Sequence, residues 1–124
     1  MEIKNEFIPY EQALALKELG FDEPCFGYYT GDKKHLVLKP NMGRRNEDLN
    51  DIVCTSPLYQ QAFRWFREKY DLISVVGYHN LWKYSFLIET IEEHKTIIVV
   101  DKINTYEEAE LACLKKLIEI VKNK

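Results

Sequence analysis

The stretch that decides the fold is Leu72–Val100, LISVVGYHNLWKYSFLIETIEEHKTIIVV. It contains three runs rich in β-branched and aromatic residues, which is the composition of β-strands. Short segments that suit turns separate the runs. Consecutive strands joined by short turns pair with each other, so the stretch predicts a three-stranded antiparallel meander. The predicted strands are 72–78, 82–89 and 96–100, with turns at 79–80 and 90–95.

Helices are predicted on both sides of this meander. Upstream, Ser56 is a predicted N-cap with Pro57 at the first helical position. The apolar face of that helix is aromatic and recurs at spacings of three and four residues: Tyr59, Ala62, Phe63, Phe66, Tyr70. Downstream, Thr105 and Glu108 form the pattern of a capping box, followed by an amphipathic stretch whose end carries Lys122 and Lys124.

The first forty residues predict a helix followed by a hairpin. Pro9 suits the first turn of the helix, and Gly20 suits its left-handed stop. The runs 25–29 and 35–38 predict two strands joined at Gly31. Residues 39–53 have little periodicity and predict a long connection.

The predicted order is therefore helix, hairpin, helix, three-stranded meander, helix. Such an order predicts an α+β fold in which helices pack on antiparallel sheet. The chain has 124 residues, of which 46% are hydrophobic, which suits one domain over residues 1–124.

Composition also limits the partners and the compartment. The net charge of -3 gives no general attraction for nucleic acid or anionic lipid. Three widely spaced cysteines without a Cys-x-x-Cys pair are typical of reduced thiols. The first residues do not suggest a secretion signal, and no run approaches the roughly 18 apolar residues of a membrane span. A cytoplasmic protein without membrane contact is expected.

Catalytic and metal motifs are weak in this sequence. Cys54 with His79 or His35 is the one nucleophile and base combination available, and its spacing matches no known arrangement. His35, His79 and His94 suit surface positions and lack ligand spacing. The expectation is a protein that is not an enzyme, with no catalytic residue, metal site or cofactor.

A basic segment at 33–45 is the most uneven charge distribution. It carries five positive residues and no acidic one: Lys33, Lys34, Lys39, Arg44, Arg45. A solvated turn is the favoured interpretation, because short basic runs are common on protein surfaces. The alternative is a site for an anion or nucleic acid, since Arg and Lys donate to phosphate oxygens.

Aromatic residues provide the second candidate site. Trp65 lies at the margin of the apolar stripe of its helix, and Trp82 and Tyr84 lie on a predicted strand. Trp and Tyr anchor many protein interfaces, but they also fill cores. The three residues are candidates for a protein interface, and the pattern leaves their exposure open.

Three segments resemble a family of small proteins that recur in bacterial prophages and mobile elements and have no known activity: Phe7–Cys25, Tyr59–Tyr70 and Thr105–Glu119. The resemblance implies a phage or mobile-element context in a bacterial cytoplasm and assigns no catalytic residue. The resulting hypothesis is a non-enzymatic accessory protein that binds a host or phage protein, as a monomer or a homodimer. The alternatives are binding of an anion or nucleic acid through the basic segment, and sequestration of a small signalling ligand at a subunit junction.

Overall fold

A computed structural model describes residues 3–31, 35–39, 43–46 and 52–124. A 3-10 turn, three helices and six strands follow in chain order: Ile3–Glu6 (3-10), Tyr10–Glu18 (α1), Gly27–Thr30 (β1), Leu36–Leu38 (β2), Ile52–Ser56 (β3), Tyr59–Tyr70 (α2), Leu72–His79 (β4), Lys83–Thr90 (β5), Lys95–Ile103 (β6), Tyr106–Lys122 (α3). The predicted α+β class and the predicted order are confirmed, with one strand more than expected.

The chain divides into two compact units, Met1–Gln61 and Ala62–Lys124. Each unit contains one three-stranded antiparallel sheet. Helix α2 begins in the first unit and continues into the second. A single domain over 1–124 stays a prediction.

In the first unit, the strand order is β2-β1-β3. The predicted hairpin is confirmed by the antiparallel pairing of β1 with β2, in which Gly27 faces Leu38. Strand β3 was not predicted, because Ser56 was interpreted as the N-cap of α2 and residues 39–53 as a connection throughout. The N-cap assignment is wrong, and the predicted connection is too long, because residues 52 and 53 belong to β3. Ser56 closes β3 opposite Gly27, and α2 begins at Tyr59.

Backbone and side-chain hydrogen bonds fix the packing of α1 and β3. The carbonyl of Ile8 accepts bonds from the Tyr29 hydroxyl at 2.7 Å and from Ser56 Oγ at 2.8 Å. The Lys17 ammonium donates to the Val53 carbonyl at 2.7 Å. These bonds satisfy polar groups that the packing of the first unit would otherwise leave without partners. The predicted stop of α1 is confirmed, since Gly20 has a φ of 97°.

Asn46 adds a buried polar link in the same unit. Its Nδ2 donates to the Phe21 carbonyl at 2.7 Å, and its Oδ1 accepts from the Thr55 amide at 2.8 Å. The amide side chain therefore joins the segment after α1 to strand β3.

In the second unit, the predicted meander is confirmed with the order β4-β5-β6. Helix α3 covers one face of this sheet, where Phe86 and Ile88 are buried. The predicted cap is also present, because the Glu108 amide donates to Thr105 Oγ1 at 3.1 Å. The apolar stripe of α3 is buried as expected from its periodicity.

Candidate protein-interaction surface

The turn between β4 and β5 carries two exposed large apolar residues, and one of them is the most exposed such residue in the described part of the second unit. Leu81 is 71% exposed and Trp82 is 53% exposed. Hydrogen bonds hold the turn: the Trp82 amide donates to the His79 carbonyl at 3.2 Å, and the Lys102 amide donates to the Trp82 carbonyl at 2.8 Å. The His79 ring, 5.8 Å from the Trp82 indole between centroids, also accepts from the Leu81 amide at 3.1 Å. The backbone under these side chains is therefore ordered.

A tyrosine cluster lies directly behind this turn. Tyr78 and Tyr84 are cross-strand partners with ring centroids 4.9 Å apart. Tyr84 also meets Tyr106, the first residue of α3, in an edge contact at 6.3 Å. Tyr84 is half-buried, whereas Tyr78 is 61% exposed. We call Tyr78, Leu81 and Trp82 the tip patch.

The centre of the sheet face opposite α3 is also apolar. Side chains alternate between the two faces of a strand. The face opposite Phe86 and Ile88 therefore carries the three cross-strand partners Val75, Leu87 and Val99. Val75 is 50% exposed and Val99 is 55% exposed. We call this surface the open face. A shallow depression of about 220 Å³ lies near one end of the sheet, lined by Ile73, Glu89, Thr90, Ile91 and His94.

Of the three predicted interface residues, Trp82 is exposed, Tyr84 supports the tip patch, and Trp65 is not at the surface. Trp65 is only 6% exposed. Its ring packs edge-on against Phe66 at 5.1 Å and Tyr70 at 5.4 Å, with the Lys69 ammonium 5.3 Å from its centre. The position at the margin of the apolar stripe belongs to the core, because neighbouring aromatic rings extend the stripe over it. Trp65 is therefore removed from the interface candidates.

The basic segment is described only in part. Lys33 and Lys34 lie outside the described residues. The Lys39 amide donates to the Phe26 carbonyl at 2.7 Å, and Arg44 exchanges two backbone bonds with Cys25 at 2.7 and 2.8 Å. Both residues are thus held beside the start of β1.

The arginine side chains of this segment differ in their surroundings. Arg45 is exposed, and its guanidinium donates to the Asp22 carbonyl at 3.0 Å. Arg44 is half-buried, and its Nε has no hydrogen-bond partner within the described ranges. The guanidinium of Arg45 is therefore already bonded within the chain, which leaves fewer donors for an anion.

The three cysteines are buried thiols. Burial raises the pKa of Cys54 to about 11 and the pKa of Cys25 and of Cys113 to about 12. A thiol acts as a nucleophile or metal ligand as the thiolate, so these groups are poorly suited to either role at neutral pH. In the described ranges, no three His, Cys, Asp or Glu side chains form a group that could hold a metal ion.

No protein-family model matches the chain, and neither a curated protein nor a solved structure is significantly similar to it. Among the helices in the described ranges, none is long and apolar enough to cross a membrane.

From the sequence alone, Leu81, Val75 and Val99 were not identified as site residues. Their alternation along the strands gave the available signal, because residues two apart share a face. That signal does not tell which face a helix covers.

Proposed function

We propose that the protein is a non-enzymatic binding protein that engages a host or phage protein through the tip patch, as an accessory factor of a prophage or mobile element. The observation that carries this proposal is the exposure of Leu81 and Trp82, on a turn held by hydrogen bonds, and of Tyr78 near the end of the preceding strand, each more than half exposed. Exposed apolar side chains grouped at one end of a hairpin favour an interaction site.

The tip patch suits binding for two physical reasons. Trp and Tyr rings bury a large area when they contact a partner, and they dominate the energetics of many interfaces. The turn is already held by the bonds of His79, Trp82 and Lys102, so binding orders little additional backbone. A preorganised surface retains more of its contact energy as affinity.

Charge near the tip patch indicates the kind of partner. Lys83 and Lys102 are exposed beside it, in a protein whose overall charge is -3. An apolar pocket bordered by carboxylates would complement this arrangement, because charged residues at the rim of an interface favour partners of opposite sign.

The test is a double substitution, Leu81→Ser with Trp82→Ala, in a tagged protein. We first identify proteins retained by the wild-type chain from a bacterial lysate, and then titrate each purified candidate against wild type and variant. The proposal expects a loss of affinity of about 2 kcal/mol or more, roughly thirtyfold, because a central aromatic anchor is removed.

Phe26→Ala is the matched control, because Phe26 is half exposed and lies in the first unit. It should leave the affinity unchanged. Equal affinity of wild type and the double variant for every purified partner would contradict the proposal.

The alternative of anion or nucleic-acid binding has one observation in its favour, the Arg44 Nε without a partner in the described ranges. We infer that Lys39, Arg44 and Arg45 would then contribute to a salt-dependent site. The affinity for a labelled single-stranded oligonucleotide should fall steeply between roughly 50 and 200 mM salt, because cationic side chains that bind phosphates release counterions. Lys39→Ala with Arg45→Ala should weaken it further. An affinity independent of salt would remove this alternative. Sequestration of a signalling ligand stays a prediction.

A further inference from the structure

We propose that the outer edge of β4 pairs antiparallel with β4 of a second copy, so that two three-stranded sheets join into one sheet of six strands. This interaction does not rest on the proposed function, because it uses backbone groups of β4, those of Tyr78 included, whereas the tip patch would bind through its side chains. It follows from the contrast between the two edges of the second sheet, from the direction of the β4 backbone groups, and from the self-complementary register of β4.

The β6 edge has features that oppose pairing with another strand. Its register with β5 shifts twice, between Ile88 and Glu89 and between Tyr84 and Phe86. Lys102 within it has a positive φ of 59°. Lys95, Asp101 and Lys102 add charge along the strand. Bulges and charged residues are devices by which natural proteins protect an exposed sheet edge.

The β4 edge has none of these features. Its eight residues, Leu72–His79, pair with β5 in an unbroken register from Leu72 opposite Thr90 to His79 opposite Lys83. The strand contains no Lys, Arg, Asp, Glu or Pro. Among the described residues, no strand pairs with its outer side. A regular, uncharged edge of this length is a ready template for strand addition, unless another chain already covers it.

The direction of the backbone groups on β4 follows from one bond. The Ile91 amide donates to the Asp71 carbonyl at 3.2 Å, so the facing pair 71 and 91 is of the hydrogen-bonded type. Hydrogen-bonded pairs alternate with non-bonded pairs along an antiparallel ladder. The even-numbered residues therefore turn their N–H and C=O groups to the outer edge: Leu72, Ser74, Val76, Tyr78.

A two-fold axis through Val75, perpendicular to the sheet, uses every one of these groups. Leu72 then faces the partner's Tyr78, and Ser74 faces the partner's Val76. Each of the four outward residues on each copy exchanges bonds, which gives eight backbone hydrogen bonds in an antiparallel ladder. A shift of the axis to Ser74 or Val76 leaves outward groups of the strand ends without partners. The strand is thus complementary to itself in one register.

The side chains agree with this register. Val75 meets the partner's Val75 on the open face, where a non-bonded pair brings side chains into close contact. Ile73 meets the partner's Gly77, around which the structure leaves open space. No two charges meet along the ladder, because β4 carries none. The apolar rows of Val75, Leu87 and Val99 in the two copies then adjoin each other at Val75.

The first experiment compares Val75→Lys with Val99→Lys by analytical ultracentrifugation. Both residues are about half exposed on the open face, so each variant should fold, but only Val75 lies at the proposed axis. Wild type and Val99→Lys should sediment with twice the 14.7 kDa mass of the chain. Val75→Lys should sediment as a monomer, because like charges directly opposite each other on paired strands repel.

Other results would overturn the proposal. Wild-type protein that sediments as a monomer at 100 μM, roughly the highest dissociation constant of a weak dimer, would contradict the proposed pairing. Equal disruption by both lysines would indicate that two open faces stack instead. A wild-type monomer that captures an extended peptide on β4 would assign the edge to another protein.

A second experiment tests the register and does not depend on the lysine variants. The variant Val75→Cys should form a disulfide between the two copies under mild oxidation, because facing Cβ atoms of strand partners lie about 4.5–5.5 Å apart. Ile73→Cys is the control, since Ile73 would face Gly77 of the partner and not its own copy. Preferential cross-linking at 73 would overturn the register centred on Val75.

Discussion

The two sheets of this protein differ in how many of their large apolar side chains are exposed. In the first unit, the described large apolar residues with high exposure are Ile3 and Phe26, and neither lies in a strand. In the second unit, exposed large apolar residues occur along two strands and in both turns: Val75, Tyr78, Leu81, Trp82, Ile91, Ile97, Val99. The first sheet is therefore the better covered one, and the second offers surface for binding.

The physical origin of this difference is the number of covering layers. Helix α3 provides one layer on one face of the second sheet. A sheet that is apolar on both faces needs a layer on each, or a partner that supplies the second. The face under α3 should therefore provide stability, and the open face and the tip patch should provide interactions.

The largest expected effect is a difference in the free energy of unfolding between substitutions on these two faces. Ile88→Ala removes a fully buried side chain under α3 and should lower the free energy of unfolding by about 2–5 kcal/mol. Val99→Ala, on the neighbouring strand but on the open face, should cost less than about 1 kcal/mol, because most of its side chain is already in water. Urea denaturation at low protein concentration measures both. Equal losses would show that the open face contributes as much to the stability of the single chain as the face under α3.

Much of the fold was predictable because its signals are local. The meander follows from three runs of strand formers within Leu72–Val100, and the start of α3 follows from Thr105 and Glu108, three residues apart. Strand β3 was missed because Ser56 and Pro57 also match the start of a helix. The pairing of Ser56 with Gly27 decides between these alternatives, and it joins residues far apart in the sequence.

The candidate site was less predictable. Trp82 is exposed and Trp65 is buried, a difference that the sequence pattern left open. The unprotected edge of β4 was not predictable, because an edge is defined by the strand order of the whole sheet. Local pattern predicts that a strand exists, but long-range pairing decides which of its sides stays free.

A second prediction concerns the polar link of the first unit. Asn46→Ala removes the hydrogen bonds that Asn46 makes with the Phe21 carbonyl and the Thr55 amide, and both residues are buried with it. The free energy of unfolding should fall by about 1–3 kcal/mol, the cost of unsatisfied buried groups. Hydrogen exchange of the Thr55 amide should accelerate as well.

Asn5→Ala is the control for this variant, because Asn5 is exposed in the same unit. It should change the free energy of unfolding by less than about 0.5 kcal/mol. An Asn46 variant that is as stable as the control would mean that water replaces the side chain, and that the first unit is less closed than the comparison of the two sheets implies.

The smallest expected effect for a single residue tests whether the two cores exclude water equally. Cys54 lies in the first unit and Cys113 in the second, and burial raises the pKa of both thiols, to about 11 and about 12. The unfolded chain loses these protons near pH 9, whereas the folded chain keeps them until pH 11 or above. Stability is therefore fully present below pH 9 and falls as the pH rises towards 11. At pH 9.5 the loss should be on the order of 1 kcal/mol for each thiol.

Urea denaturation at pH 7 and pH 9.5 measures this loss, and Cys54→Ala and Cys113→Ala divide it between the units. Each variant should remove its own share of the pH dependence. If Cys113→Ala removes none while Cys54→Ala removes its share, the thiol of the second unit is already in contact with water. Such a result would extend the openness of the second sheet from its uncovered face to the core beneath α3, because a thiol keeps its proton above pH 9 only where water and neighbouring cations do not stabilise the thiolate.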